Sequence, residues 1–285
     1  MEKKEIILIL GFHKCYTSSL VRVLNSNNNT FIQYEYFHKF YDFFENENTQ
    51  IDHNMFNCYL DKLYKEQTEQ IKNIGDKVIC TKFKKLVSFT DYVNNRGVKI
   101  IYPIVDVIKW FAKTYSICVR YNNGLKKVLD HDSDVFSFSI ITYIKNFIYC
   151  FNYDNIIFIK KFETENLKNK LKENLNIDIE SNWYEVNQKK SDFISGHVSA
   201  THDFVKFDNE IKEKKCDFWD EVLKIFYKYY DNVDAKISNT EIFEDLNKLD
   251  KINDKYCITK IEDLYSELII YEYNNNENCK VNYLK

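Results

Sequence analysis

The sequence predicts an α/β fold of three layers, with a central parallel sheet flanked by helices. Two observations carry that prediction. Charge-poor runs rich in Ile and Val, at Glu5–Leu10, Lys77–Thr81, Val98–Ile104 and Asn155–Ile159, read as buried strands, and stretches with helical periodicity follow them. Strands that alternate with helices need crossover connections, which build a parallel sheet covered on both faces. In 285 residues without internal repeat or long linker, one domain over residues 1–273 is expected, with a flexible tail at 274–285.

Composition narrows the function classes. Hydrophobic residues at 45% and aromatics at 16% exclude disorder as the overall state. A net charge of −3 gives no global reason to expect nucleic acid or an anionic membrane, so neither is expected as a partner. The 8 cysteines lack Cys-x-x-Cys spacing, which gives zinc little support, and those in apolar runs read as reduced core thiols. The apolar run after Glu5 is too short for a signal-peptide core or a membrane span, and no later stretch reaches span length without charges. A cytoplasmic location is the resulting expectation.

The chemistry is concentrated at the end of the first strand. Gly11 stops that strand, a polar turn follows, and Leu20, Val21, Val23 and Leu24 resume an apolar helical pattern, with Thr17, Ser18 and Ser19 supplying hydroxyls at its start. A helix N-terminus presents unpaired N–H groups and the positive end of its dipole, so a loop feeding into it suits an anion such as phosphate. Lys14 adds a mobile cation there. The Walker A pattern is not met, because Tyr16-Thr17-Ser18 stand where Gly-Lys-Ser/Thr is required. The stretch instead resembles the 5′-phosphosulfate loop of the P-loop sulfotransferases, whose members often read Gly-x-x-Lys-x-Gly-Thr-x-x-Leu. Gly11, Lys14, Thr17 and Leu20 fit. Tyr16 stands where the family usually has a Gly that lets backbone approach the ligand, so its ring either turns aside or blocks the phosphate.

An aromatic region from Phe31 to Phe44 comes next. Within it, Gln33-Tyr34-Glu35-Tyr36-Phe37 resembles the segment in which many carbohydrate sulfotransferases carry Lys-Glu followed by aromatics, though the Lys is missing. The resemblance implies Glu35 as general base for an acceptor hydroxyl; a solvent-facing Glu is the alternative. Residues from about Met55 to Ile74 read as an amphipathic helix, with Leu60, Leu63 and Tyr64 at helical spacing. After the strand at Lys77–Thr81, Lys82 matches the point where the family has a Lys near the sulfonate or the substrate. Lys84 and Lys85 read as solvated charge.

Val98–Ile104, then Val105-Asp106-Val107 and a helix bearing Ile108, Trp110, Phe111, Tyr115 and Val119, resemble the family's 3′-phosphate segment of strand, Arg-Asp-Pro and Ser-bearing helix. Asp106 is kept. Val105 replaces the Arg, Val107 the Pro, and Lys113 stands at the Ser position, restoring a charge without the planar fork of Arg. Asn122-Asn123-Gly124 reads as a turn, Val135–Phe151 as a buried helix, and the strand at Asn155–Ile159 leads into a helix through about Leu175. Trp183–Asp203 reads as a flexible loop whose Lys189, Lys190 and His197 are either phosphate contacts, as the resemblance implies, or solvated residues. Phe218–Tyr230 reads as an aromatic amphipathic core helix.

The resemblance covers roughly residues 5–175 and lies in the succession of these segments. It implies a P-loop NTPase-like fold, 3′-phosphoadenosine 5′-phosphosulfate (PAPS) as donor, no metal, and sulfonate transfer to a hydroxyl or amine of a small-molecule or glycan acceptor. It assigns Lys14, Glu35 and Lys82 to catalysis, and Gly11, His13, Lys14, Cys15, Tyr16, Thr17, Ser18, Asp106 and Lys113 to the donor. Two alternatives stay open. One is a binding protein that kept the fold and lost the chemistry, supported by Tyr16 and Val105. The other is a P-loop phosphotransferase, disfavoured by the missing Gly-Lys-Ser/Thr and by the absence of a clear acidic Mg²⁺ site at a strand end.

Overall fold

The computed structural model describes residues 4–12, 15–37, 50–65, 69–108, 110, 140–160, 164–179 and 217–256. In chain order the elements are β1 (Glu5–Gly11), α1 (Thr17–Leu24), β2 (Thr30–Tyr34), α2 (His53–Lys65), β3 (Asn73–Ile79), α3 (Phe83–Asn94) and β4 (Lys99–Ile104). After these come α4 (Ile140–Tyr149), a 3-10 turn at Cys150–Asn152, β5 (Ile156–Lys160), α5 (Thr164–Leu175), α6 (Asp217–Tyr230) and α7 (Asn239–Tyr256). The expected α/β architecture is present. The turn at 122–124, the loop at 183–203 and the tail from 274 lie outside the described residues.

The chain divides into two compact units, the first comprising residues 1–105, 145–195 and 236–239. It holds a five-stranded sheet in the order β2-β3-β1-β4-β5, and every strand pair is parallel. From β1 the chain moves toward β2, and from β4 it moves toward β5. The connections therefore diverge between β1 and β4, which is where open α/β sheets form a crevice outside their strand carboxyl ends.

Strand alternation sorts the side chains into two layers. Ile7 and Ile9 of β1, with Ile32, Ile101, Ile157 and Ile159, pack with Leu20, Val21, Val23 and Leu24 of α1 and with Leu167, Leu171 and Leu175 of α5. On the opposite face aromatic rings fill the space. Phe37 meets Tyr59 of α2 at 5.0 Å and Phe89 of α3 at 5.6 Å between ring centroids, and Tyr102 and Phe158 lie close to Phe147. Gly75 is required by this packing, because a Cβ there would stand 1.7 Å from the Ile7 carbonyl oxygen across the β1–β3 ladder.

Several expectations are corrected. The helix expected to reach Ile74 ends at Lys65, and Asn73, Ile74, Gly75 and Asp76 belong to β3, which begins before the expected Lys77 and ends at Ile79. Polar Asn73 and Asp76 hid the strand, although both are buried in it. The start of the aromatic region, Phe31 to Tyr34, forms with Thr30 the edge strand β2. The long helix α7 was not expected at all, although Ile242, Leu246, Leu249 and Ile252 recur at helical spacing and are buried.

The second unit comprises residues 106–144, 196–235 and 240–285. In it Trp110 stacks on Tyr143 at 4.3 Å, and Tyr143 in turn approaches Phe226 of α6. The Asp245 carboxylate of α7 is almost wholly buried and accepts hydrogen bonds from Lys228, Tyr229 and Lys248. Among the described residues no helix is long and apolar enough to cross a membrane.

Candidate functional site at the strand carboxyl ends

The loop after β1 enters α1 through an unusual backbone. Tyr16, the residue before the first helical position, sits at φ 61° and ψ 20°, a left-handed conformation that Gly adopts freely and Tyr does not. Tyr16 thus combines a bulky side chain with a Gly-like backbone. Its ring packs against the apolar layer formed by β1, α1 and α5. Gly11 matters for a different reason: a Cβ there would stand 2.8 Å from Thr17 Cγ2, so its absence lets the helix start close against the strand.

The N-terminus of α1 is electrostatically open. Tyr16 makes no side-chain cap, and no acidic residue occupies the first turn. The N–H groups of Ser19 and Leu20 both reach the Tyr16 carbonyl at 3.0 Å. Thr17 and Ser18 hold the first two helical positions, whose N–H groups have no acceptor within the helix. The positive end of the helix dipole is uncompensated by an acid there, which favours an anion. His13 and Lys14 lie outside the described residues.

The residue that sequence reasoning missed is Lys77. It belongs to β3, paired with Tyr34 of β2 and Ile9 of β1, and therefore lies on the same layer as α1. Only 7% of it is exposed. A lysine is rarely buried to that degree unless its charge is matched. Its Nζ lies 2.6 Å from Glu35 Oε1 and donates to Ser18 Oγ at 3.2 Å, and it also stands over the Tyr34 ring at 5.5 Å. Tyr34 in turn donates its hydroxyl to the Ser18 carbonyl at 3.2 Å. Glu35, Lys77 and the first turn of α1 thus form one connected group.

Glu35 is held by its backbone as well. It takes a positive φ of 54°, and its N–H donates to the Lys77 carbonyl at 3.1 Å. The next two N–H groups, of Tyr36 and Phe37, donate to the two carboxylate oxygens of Asp76 at 2.9 and 2.7 Å. Asp76 is fully buried beneath this turn. Burial pushes its carboxyl up to about 6, and the backbone N–H bonds from Phe37, Tyr36 and Lys77 pull against that rise. The nearby Tyr59 phenol is pushed well above its usual range by burial and by the Asp76 charge. Adjacent residues of one strand, pointing to opposite faces, therefore grip the same turn.

The other expected residues fall as follows. Lys82 is the partly buried residue at the start of α3, in extended conformation two residues beyond Cys80, whose N–H continues the sheet by donating to the Gly11 carbonyl. Lys85, expected as solvated charge, is buried. Cys15 has its side chain in the core, where it lies with Cys80 and Cys150 around Tyr102. Burial pushes the thiols of Cys80 and Cys150 up, so both stay protonated. Asp106 belongs to the second unit, where its carboxylate accepts from the Ile108 N–H at 3.1 Å and from the Tyr227 hydroxyl at 2.8 Å. Lys113 lies outside the described residues. A separate open groove lined by Ile51, Ser88, Asp91, Tyr92, Asn95 and Arg96 lies toward the far end of α3, with the Arg96 guanidinium 4.2 Å from the Tyr92 ring centroid.

No protein-family model matches this chain, and no curated protein matches it. Among solved structures it is similar to the crystal structure of a sulfotransferase from Alicyclobacillus acidocaldarius, at 14% identity and a TM-score of 0.45, over 79% of this chain and 95% of that one.

Proposed function

We propose that the protein is a sulfotransferase that uses PAPS as donor and a hydroxyl or amine of a small-molecule or glycan acceptor. The observation that supports this reading most is the link from Glu35 through Lys77 to Ser18. It ties the residue suited to take a proton to the helix end suited to hold an anion. The donor's 5′-phosphate side lies at the N-terminus of α1, against the Thr17 and Ser18 N–H groups and the side chain of Lys14. Glu35 takes the acceptor proton as the acceptor oxygen or nitrogen attacks sulfur in line. The sulfur–oxygen bond to the phosphate breaks, and the electron pair passes to the bridging oxygen, where the helix N–H groups and Lys14 stabilise the growing charge. Lys82, the residue before α3, serves as a second cation for the transferring sulfonate. The location is cytoplasmic, and nucleic acid and membrane are not partners.

Transfer of radiolabelled sulfonate from PAPS to a panel of 4-methylumbelliferyl glycosides tests the reading. Lys14→Ala is expected to lower turnover by about two orders of magnitude or more without loss of folding, as removal of a charge-stabilising donor does. Glu35→Gln is expected to reduce kcat while leaving nucleotide affinity intact. Unchanged turnover in Lys14→Ala removes the donor site from this loop, and equal loss of turnover and affinity in Glu35→Gln removes its role as base.

A further inference from the structure

We infer that Lys77 is a positioning residue for the acceptor base, an inference that rests on the proposed role of Glu35. A surface Glu has many rotamers, and a base must hold its oxygen within a few tenths of an ångström of the proton that it takes. Glu35 is 47% exposed at its side chain, yet its carboxylate is fixed at 2.6 Å from an ammonium that is itself buried and anchored to Ser18 Oγ. Its main chain is fixed from the same strand, by the Lys77 carbonyl and by the Asp76 carboxylate under the following two N–H groups. A positive φ at a non-Gly residue is strained and persists only where the surroundings over-determine it. Asp76 and Lys77 supply that determination.

The pair also changes character during transfer. In the resting protein the Glu35 carboxylate neutralises Lys77. When Glu35 accepts the acceptor proton, that neutralisation is lost while Lys77 keeps all its own protons. An uncompensated cation then stands 3.2 Å from Ser18 Oγ, in the first turn of α1, as negative charge grows on the phosphate leaving from that helix end. The strength of this cation is thereby coupled to the proton transfer that needs it. Lys77 forms no bond to substrate in this account and acts through Glu35 and Ser18.

The test compares Lys77→Met, Lys77→Arg, Glu35→Gln and the double variant Lys77→Met/Glu35→Gln, with PAPS and the same glycoside panel for turnover and 3′-phosphoadenosine 5′-phosphate for affinity. Lys77→Met is expected to lose at least ~10-fold in kcat, as an interaction made in the transition state does, with nucleotide affinity changed less than about twofold. Lys77→Arg, which restores a charge, is expected to recover most of the loss. In the Glu35→Gln background the Met substitution is expected to add little, because residues that act as one unit are not additive. Where the Met variant does not fold, Lys77→Gln, which keeps a polar head for Ser18, carries the same comparison. Wild-type kcat in Lys77→Met, an equal loss of affinity and kcat, or full additivity with Glu35→Gln each overturns the inference while leaving the sulfotransferase reading intact. Absence of transfer by the unsubstituted protein overturns that reading first, and the positioning role with it.

Discussion

Two neighbouring stretches of β3 are governed by different physics. At Gly75 the strand is fixed by volume, with no room for a single carbon beside the Ile7 carbonyl. At Asp76 and Lys77 it is fixed by charge, with two buried ionisable groups held by hydrogen bonds and an ion pair. A sheet interior can be specified by packing alone. Where β2 ends and a polar turn must be held, its neighbour β3 bears buried charges that packing would exclude, and their desolvation is offset only by partners of good geometry.

The largest expected effect breaks the volume-fixed side of the comparison. Gly75→Ala is predicted to cost more than about 3 kcal/mol, since backbone atoms of a central strand cannot yield as a side-chain tip can. Urea unfolding measures it, and no loss, or the gain of roughly 0.5–1 kcal/mol that Ala brings over Gly in an unstrained strand, would show that β1 and β3 sit farther apart.

The charge-fixed side predicts a pH dependence. The carboxyl of Asp76 is raised to about 6 in the folded protein from 3.8. The folded state therefore binds the proton more tightly than the unfolded chain. The resulting contribution to stability is complete below 3.8 and is lost as pH rises through about 6. By that linkage, the stability gap between wild type and Asp76→Asn should shift toward the variant by on the order of 3 kcal/mol from pH 4 to pH 7. An identical gap at both pH values would mean that Asp76 is solvated in the native state.

The smallest effect sharpens the comparison at the β1–α1 turn. Tyr16→Gly and Tyr16→Ala remove the same ring contacts, but only Gly fits φ 61° without strain. The Gly variant should therefore be the more stable of the two by about 1 kcal/mol, against the usual order in which Ala restricts the unfolded chain. The reverse order in thermal melts would place the left-handed turn elsewhere.

These contrasts also explain how much the sequence disclosed. β1, β4 and β5 were legible because parallel interior strands are continuous apolar runs, and α1 because an apolar stripe follows hydroxyls. The edge strand β2 was not legible, because Gln33 and Tyr34 are polar or exposed and give no run. The first half of β3 read as the end of a helix, since nothing local reveals that Asp76 will be buried under two N–H groups contributed by a turn some 40 residues earlier. The loop residues were singled out by their pattern and by family resemblance, and two of them, His13 and Lys14, lie outside the described residues. Lys77 was not found, because a lysine within a strand looks solvated until the strand order puts it between β1 and β2. The conformation of Tyr16 was half visible: the mismatch with Gly marked the position, but only the backbone angle shows that Tyr16 takes a left-handed conformation.

Calorimetric titration with 3′-phosphoadenosine 5′-phosphate, with AMP and ATP as controls, addresses the proposed donor site at the N-terminus of α1 most directly. The account predicts micromolar binding selective for the bisphosphate, weakened in Lys14→Ala. No binding of any of the three would contradict it, and the open helix end beside Tyr16 would then have no nucleotide role.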